Sequence, residues 1–451
     1  MKKLFSSYWL RSAFYSFLQR FSLTLFGFIN LIVLVRTLSK PQLGIWAIFL
    51  SITGIFEATK SNLLKNAHIK YVSGSNEMEQ HVAIASSSFF INAAISIFFI
   101  LLVVLFSGWV SRWFHTGAEL AAMLQWFIPG MFFMIFFAHM EAIQQSFLDF
   151  KGGFAGNFTR QLSFFLVIVG YKVMNKPLDL AKLAFYQSLS IGLGAIVLYF
   201  YTRKYLHHKF NVSKPWIKKI LGYGGYIFGS GMVANITQNL DQLITGKLID
   251  PASVAFYNIA SRINLLVDIP SYAASEIIFP KASRASAEEG KEKVKYLFER
   301  MVAILLAFTI PTALFIILFP GLIITVIAGK GYAAAAVILQ LYMITGIFRP
   351  AQNQAANLLN SIGRPALVFI ANTGTLAGFL IINYICVRHW GFYGAAIGNL
   401  TTTLLSFVAW YFIMRSEIDL NMKNIFRHMV GTYQTIWQQI GKALKKASAT
   451  S

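Results

Sequence analysis

The chain has 451 residues, of which 56% are hydrophobic and 12% charged, and a formal net charge of +22. That mixture lies far outside soluble usage and excludes an aqueous globular core of this length. The basic residues are spread through short segments between apolar runs, which argues for membrane topology and against nucleic-acid binding.

Twelve apolar runs, each near the ~20 residues that cross a hydrocarbon core, predict twelve helices at 13–35, 43–66, 83–107, 121–146, 154–175, 181–202, 219–246, 252–280, 297–326, 333–360, 365–386 and 391–414. Helices are expected because each satisfies its own backbone hydrogen bonds in lipid. The first run follows Met1-Lys2-Lys3, but it is too long for a signal-peptide apolar region, carries Arg20 and lacks a small-residue cleavage site, so it reads as a retained span. The single cysteine, Cys386, lies inside an apolar run, so neither a disulfide framework nor a thiolate metal site can be built.

Lys and Arg concentrate in alternate loops. One side holds Lys60, Lys65 and Lys70, Lys151, the block from Arg203 to Lys219, the block from Lys281 to Arg300, Arg364 and a basic tail. The other side is much poorer, which predicts that both termini are cytoplasmic. The expected organisation is a six-helix N-terminal lobe (1–202), a basic cytoplasmic linker loop (203–218), a six-helix C-terminal lobe (219–414) and a basic amphipathic cytoplasmic tail (415–451). In that tail Ile425, Met429, Tyr433, Trp437 and Ile440 recur beside lysines, the pattern of an interfacial helix on anionic lipid.

The two halves resemble each other. Setting Gly44 on Ala255 places Arg36 on Lys247, Leu43 on Val254, Trp46 on Tyr257, Ile48 on Ile259 and Glu57 on Asp268. A second match places Gln145-Ser146 and Asn157 on Asn360-Ser361 and Asn372. Chance similarity between apolar segments is the alternative; the equal span counts favour duplication, and in parallel duplications substrate sites form between the repeats.

The turn Leu34-Val35-Arg36-Thr37-Leu38-Ser39-Lys40-Pro41-Gln42-Leu43-Gly44-Ile45-Trp46-Ala47 resembles the first periplasmic turn of polysaccharide and O-antigen flippases, in the multidrug/oligosaccharidyl-lipid/polysaccharide exporter superfamily. Leu240 to Pro251, continuing from Phe256 to Arg262, resembles its counterpart in the second half; Ile278-Phe279-Pro280-Lys281 and Ser361-Ile362-Gly363-Arg364 are further echoes. Lys40, where the motif often has proline, and Ala255, in place of the usual glycine, depart from the pattern. The resemblance implies an all-α polytopic membrane protein with two pseudo-symmetric six-helix lobes around a central cavity faced by spans one, two, seven and eight.

A charge at the centre of a spanning helix costs roughly 3 kcal/mol even on the lenient insertion scale, so intramembrane charges direct attention to function. Arg160, Lys60, Glu141 and Glu276 lie near enough to helix ends to be anchors or partly wet. Arg20, Glu57, Asp241, Arg262, Asp268 and Arg349 are deeper, with structural ion pairs, for example Arg262 with Asp241 or Asp268, as the bland alternative. Asn235, Gln238, Asn239 and Gln242 recur at helical spacing as a polar stripe, suited to hydroxyl-rich cargo or to interhelical amide contacts. Gly222, Gly224, Gly225, Gly229 and Gly231 precede it, and with Pro270 and Arg349-Pro350 they suit either close packing or hinges.

These residues and the resemblance together imply a flippase in the bacterial cytoplasmic membrane that moves a polyprenyl-diphosphate-linked oligosaccharide, an O-antigen or exopolysaccharide repeat unit, by alternating access. Arg20, Arg262 and Arg349, with the amide stripe, would contact substrate; Glu57, Asp241 and Asp268 would gate or couple H+ or Na+. No cofactor, metal or catalytic residue is implied; expected partners are the lipid-linked oligosaccharide, membrane lipids and other polysaccharide-assembly membrane proteins. A cation-coupled multidrug antiporter of the same superfamily remains the second reading. A membrane polymerase, ligase or glycosyltransferase fits less well, because the outer loops are only about 4–14 residues and hold no catalytic insertion. No phosphate-binding loop, metal-spaced His pair or nucleophile elbow is present.

Overall fold

The computed structural model describes residues 8–73, 77–147, 149–206 and 210–448. Lys2, Lys3 and His207-His208 lie outside the described residues, as do the side chains of Lys60, Glu276 and Ile440 and the placement around Gly224 and Gly225. Every regular element among the described residues is helical. The chain divides into two compact units, Met1–Asn258 and Ile259–Ser451.

The first unit holds α1 (Tyr8–Val35), α2 (Lys40–Ser73), α3 (Met78–Trp113), α4 (Glu119–Trp126), α5 (Ile128–Ser146), α6 (Lys151–Val173), α7 (Leu180–Thr202), α8 (Lys214–Leu248) and the opening turns of α9 (Pro251–Glu288). The remainder of α9, with α10 (Lys291–Leu318), α11 (Pro320–Ala328), α12 (Ala335–Ser361), α13 (Pro365–Trp390), α14 (Gly394–Ile418) and α15 (Met422–Ser448), forms the second. Twelve spans result, because α4–α5 and α10–α11 each make one. Pro129 in the first turn of α5 and Pro320 at the start of α11 mark where the two broken spans restart: proline's missing N–H costs nothing in a first turn. Asp179 caps α7 by accepting from the Lys182 N–H at 3.0 Å.

Among the described residues, seven stretches are long and apolar enough to cross a membrane by composition alone. Missing from them are α6, α8, α9 and α12, the helices that carry Arg160, Asp241, Arg262 with Asp268, and Arg349. Elsewhere the outward faces are apolar: Ile97, Phe98, Leu101 and Leu105 on α3 are more than half exposed, as a hydrocarbon surround permits.

In the first unit α6 packs between α1 and α7, α5 packs on α7 and α2, and α8 lies along α2. Gly156 and Gly194 face each other's carbonyls at the α6–α7 crossing, so the backbones approach closely. Where α2 begins, a Cβ on Gly44 would collide with the Pro251 carbonyl, and Ile48 lies against Gly246. The two turns that carry the family resemblance thus meet, so glycine at 44 is a packing requirement and more than a matter of turn shape. In the second unit Phe298, Val302, Leu358, Leu359, Met414 and Ile425 form one core. The first half of α15 is part of it: Glu299, 2% exposed, accepts from the Asn421 N–H and the Asn424 amide, both at 3.0 Å, and anchors the start of that helix.

The internal match is visible in the elements. Gly44 and Ala255 are each the fifth residue of their helices, α2 and α9, and Ser146 and Ser361 end α5 and α12. Leu43 and Val254, Trp46 and Tyr257, and Ile48 and Ile259 are all buried. The six-helix halves read from the sequence describe this repetition. The compact units describe packing, and α8 packs on α2.

Candidate functional site

Glu141 organises the polar interior of the first unit. Its carboxylate accepts from Gln19 Nε2 at 2.7 Å, from Lys65 Nζ at 3.3 Å and from Asn157 Nδ2 at 3.5 Å, linking α5 to α1, α2 and α6. Asn157 also donates to the Gly153 carbonyl at 2.9 Å. Gly153 in turn donates to Gln144 Oε1 at 3.0 Å. One carboxylate with three donors from three other helices is a satisfied, rigid group.

Arg160 was expected to snorkel outward. Instead its guanidinium sits 5.6 Å from the Phe137 ring centre and beside the Met134 sulfur, with Glu57 and Glu141 as the acids that act on it. The interior carboxylates supply a counter-charge, so the flexible stem turns inward rather than to the interface. Arg20 is exposed on α1 and Glu57 half-buried on α2.

The stripe on α8 divides. Asn235 and Asn239 donate to carbonyls one turn back, of Gly231 and Asn235, at 2.7 and 2.9 Å. Gln238 is exposed, whereas Gln242 is buried and accepts from Asn258 Nδ2 of α9 at 3.1 Å. Asp241 is 3% exposed and accepts the Gln242 N–H at 2.8 Å. The stripe is therefore divided between asparagines bonded to their own helix and an interhelical contact at Gln242.

In the second unit Arg349 Nη1 donates to Asp268 Oδ2 at 2.9 Å, joining α12 to α9. Asp268 is buried, with its side chain 5% exposed against 29% for Arg349. Close by, Gln354 donates to the Ser271 carbonyl at 2.9 Å and reinforces the same contact. Asp268 is thus partnered by Arg349, correcting the alternative that paired it with Arg262. Arg262, half-buried on α9, has no acidic partner among the described residues.

Outside the spans, Asp149 in the α5–α6 link accepts from Lys204 Nζ at 3.0 Å, Tyr205 Oη at 3.1 Å and the Lys151 N–H at 3.2 Å. Burial works to raise its carboxyl, but the three donors outweigh it and hold the group below the ordinary carboxylate range.

Residues 33–337 match the family described as polysaccharide biosynthesis protein. The chain belongs to that family. Among relatives, it is 21% identical over 415 residues to a membrane protein of the cps region in Klebsiella pneumoniae, covering 91% of this chain and 82% of that one. It is also 21% identical over 407 residues to the probable low-salt glycan biosynthesis flippase Agl15 of Haloferax volcanii, covering 87% of this chain and 80% of the relative. The fold is similar to that of the lipid II flippase MurJ in an inward closed conformation, with a TM-score of 0.76 at 15% identity over 94% of this chain and 92% of that one. The expected fold class, a polytopic all-α membrane protein of twelve spans in two repeated six-helix halves, is the one found.

Sequence reasoning placed Glu141 and Arg160 at helix ends and so missed the network around them. One signal was present: the second internal match falls on Gln145-Ser146 and Asn157, beside Glu141 on α5 and bonded to it from α6.

Proposed function

We propose that this family member is a flippase that moves a polyprenyl-diphosphate-linked oligosaccharide across the bacterial cytoplasmic membrane by alternating access, making and breaking no bond. The observation that carries this reading is Arg262, a half-buried guanidinium on a spanning helix with no acidic partner among the described residues. An isolated cation is expensive in such a setting, and a diphosphate is the group that a planar five-donor fork suits. Within the first unit, exposed Arg20 and Gln238 and half-buried Asn235 and Asn239 are proposed as contacts for phosphate oxygens and sugar hydroxyls. The relative named as a glycan biosynthesis flippase supports this substrate class.

Coupling by H+ or Na+ is proposed to involve the intramembrane carboxylates Glu57, Asp241 and Asp268, of which Asp268 is bonded to Arg349. That pair suits gating: breaking it frees a carboxylate and a guanidinium together. It also disfavours a cation antiporter, whose site would need its acids unengaged. Both termini are proposed to be cytoplasmic, from the loop charges. Reporter fusions after Arg203 and Arg415 should then read cytoplasm and one near Lys176 periplasm.

The test is purified protein in liposomes with a fluorescent lipid-diphosphate sugar. Translocation without change in the lipid's mass is expected. A transferred or hydrolysed sugar would place the protein among enzymes instead.

A further inference from the structure

Helix α15 carries two apolar faces where its sequence pattern suggests one. Ile425 is buried and Met429 packs on the same core, so these two residues meet protein and not lipid. Tyr433 fixes the helix further along by donating its hydroxyl to the Ala307 carbonyl of α10 at 2.8 Å. Turned away from that core, Met422, Phe426, Val430, Tyr433 and Trp437 are all exposed, Phe426 at 64% and Trp437 at 78%. At 3.6 residues per turn these five fall within an arc of about 80°, so they form one continuous stripe.

Two observations point to what covers the stripe. The first is charge. Lys423 and Arg427 are exposed along its edge away from the core, and Lys442, Lys445 and Lys446 follow in a helix whose sequence holds no Asp or Glu. Asp419 and Glu299, acids beside its start, are engaged by Lys291 at 3.5 Å and by Asn421 and Asn424. The second is position. α14 lies in a stretch able to cross a membrane and ends at Ile418, and α15 begins at Met422, within about 15 Å of that end. Its bonds to Glu299 and Ala307 hold it beside the first half of α10, another such stretch. An exposed apolar stripe with a basic edge, held at the end of spanning helices, has the chemistry of a bilayer boundary.

We propose that α15 docks on anionic membrane lipid, with Phe426, Val430 and Trp437 among the upper acyl chains and Lys423 and Arg427 on the lipid phosphates. Removing the stripe from water is favourable, and an indole with an apolar body and one N–H suits the boundary depth. A zwitterionic headgroup brings its own cation beside its phosphate, whereas an anionic one leaves the phosphate charge for Lys and Arg, so the surface selects the anionic lipid. The inference uses no residue assigned to transport and is independent of the flippase reading.

The experiment uses the full chain with Cys386→Ala and a fluorophore on one introduced cysteine, Phe426→Cys, Val430→Cys, Gln434→Cys or Ile97→Cys, in proteoliposomes of equal parts phosphatidylcholine and phosphatidylglycerol. One lipid at a time carries bromine on its acyl chains, and quenching reports which lipid touches the label. At 426 and 430 brominated phosphatidylglycerol should be preferred by at least about fivefold, the ratio that one Lys or Arg at the surface supplies. The label at Gln434, exposed on the polar side, should be quenched weakly by both lipids, and that at Ile97, on the outward face of α3, strongly and equally by both. Lys423→Gln/Arg427→Gln should bring the two lipids to within about twofold at 426 while quenching persists. Absence of quenching at 426 and 430 beside strong quenching at Ile97 would mean that water or a protein covers the stripe, and it would overturn the proposal. Equal quenching by the two lipids, or a preference that the double variant leaves unchanged, would overturn it as well.

Discussion

The two halves of the repeat hold charge in the membrane by different means. In the first, Glu141 is shared among Gln19, Lys65 and Asn157 from three other helices, and Arg160 lies within reach of two acids. In the second, the single pair Arg349–Asp268 joins two helices, and Arg262 on the same helix as Asp268 is left over. The first arrangement spreads one carboxylate over two neutral amides and a lysine and is built to stay. The second, among the described residues, joins α9 to α12 through one ion pair.

The largest effect should come from breaking the lone pair. Asp268→Asn strands a partly buried guanidinium, and removing one partner of a buried pair costs about 3–5 kcal/mol, here reduced toward ~2–3 because Arg349 is partly exposed. The double variant Asp268→Asn/Arg349→Met should regain much of that stability, read as the midpoint of thermal unfolding in detergent. No recovery would mean that the pair is not what holds α9 to α12. Transport should remain impaired in the double variant if the pair gates.

Glu141→Gln should cost less, about 1–2 kcal/mol. A glutamine oxygen still accepts from Gln19 and Asn157, and Lys65, with its side chain 28% exposed, can turn to water. A loss as large as that of Asp268→Asn would contradict the contrast between shared and single partners.

How much of this was legible in the sequence depended on whether a property is local. Twelve apolar runs are legible in the sequence, although only some pass on length and composition among the described residues, and they form helices because backbone satisfaction in lipid leaves little alternative. The repeat was legible through Gly44 and Ala255, which hold the same position in α2 and α9. Partners were not. Glu141 reads as a helix-end residue until α1, α2 and α6 bring Gln19, Lys65 and Asn157 to it, and nothing in the spacing of residues 19, 65, 141 and 157 announces that meeting. The stripe from Asn235 to Gln242 is regular in sequence yet divided in space, because its lower end is covered where Asn258 meets Gln242.

The smallest effect concerns Asp149, outside the spans. Its folded carboxyl is held below the unfolded value, so its stabilisation is fully present above the ordinary carboxylate range and is lost as pH falls through the folded value. Asp149→Asn should therefore cost up to about 1 kcal/mol near neutral pH, since Lys204 is largely exposed. The difference from the native protein should stay constant between about pH 6 and 8 and shrink below about pH 4. A difference that grew on acidification would reverse the assignment.

The central claim is that Arg262 meets the diphosphate. Its direct test is the initial rate of lipid-diphosphate-sugar translocation in liposomes for the native protein, Arg262→Lys and Arg262→Ala at matched amounts of inserted protein. The account predicts a loss of at least about tenfold for alanine, corresponding to one charge-assisted contact, with lysine between the two because it keeps the charge and loses the fork. Native rates in Arg262→Ala at equal protein, or a loss matched by reduced insertion in both variants, would contradict it.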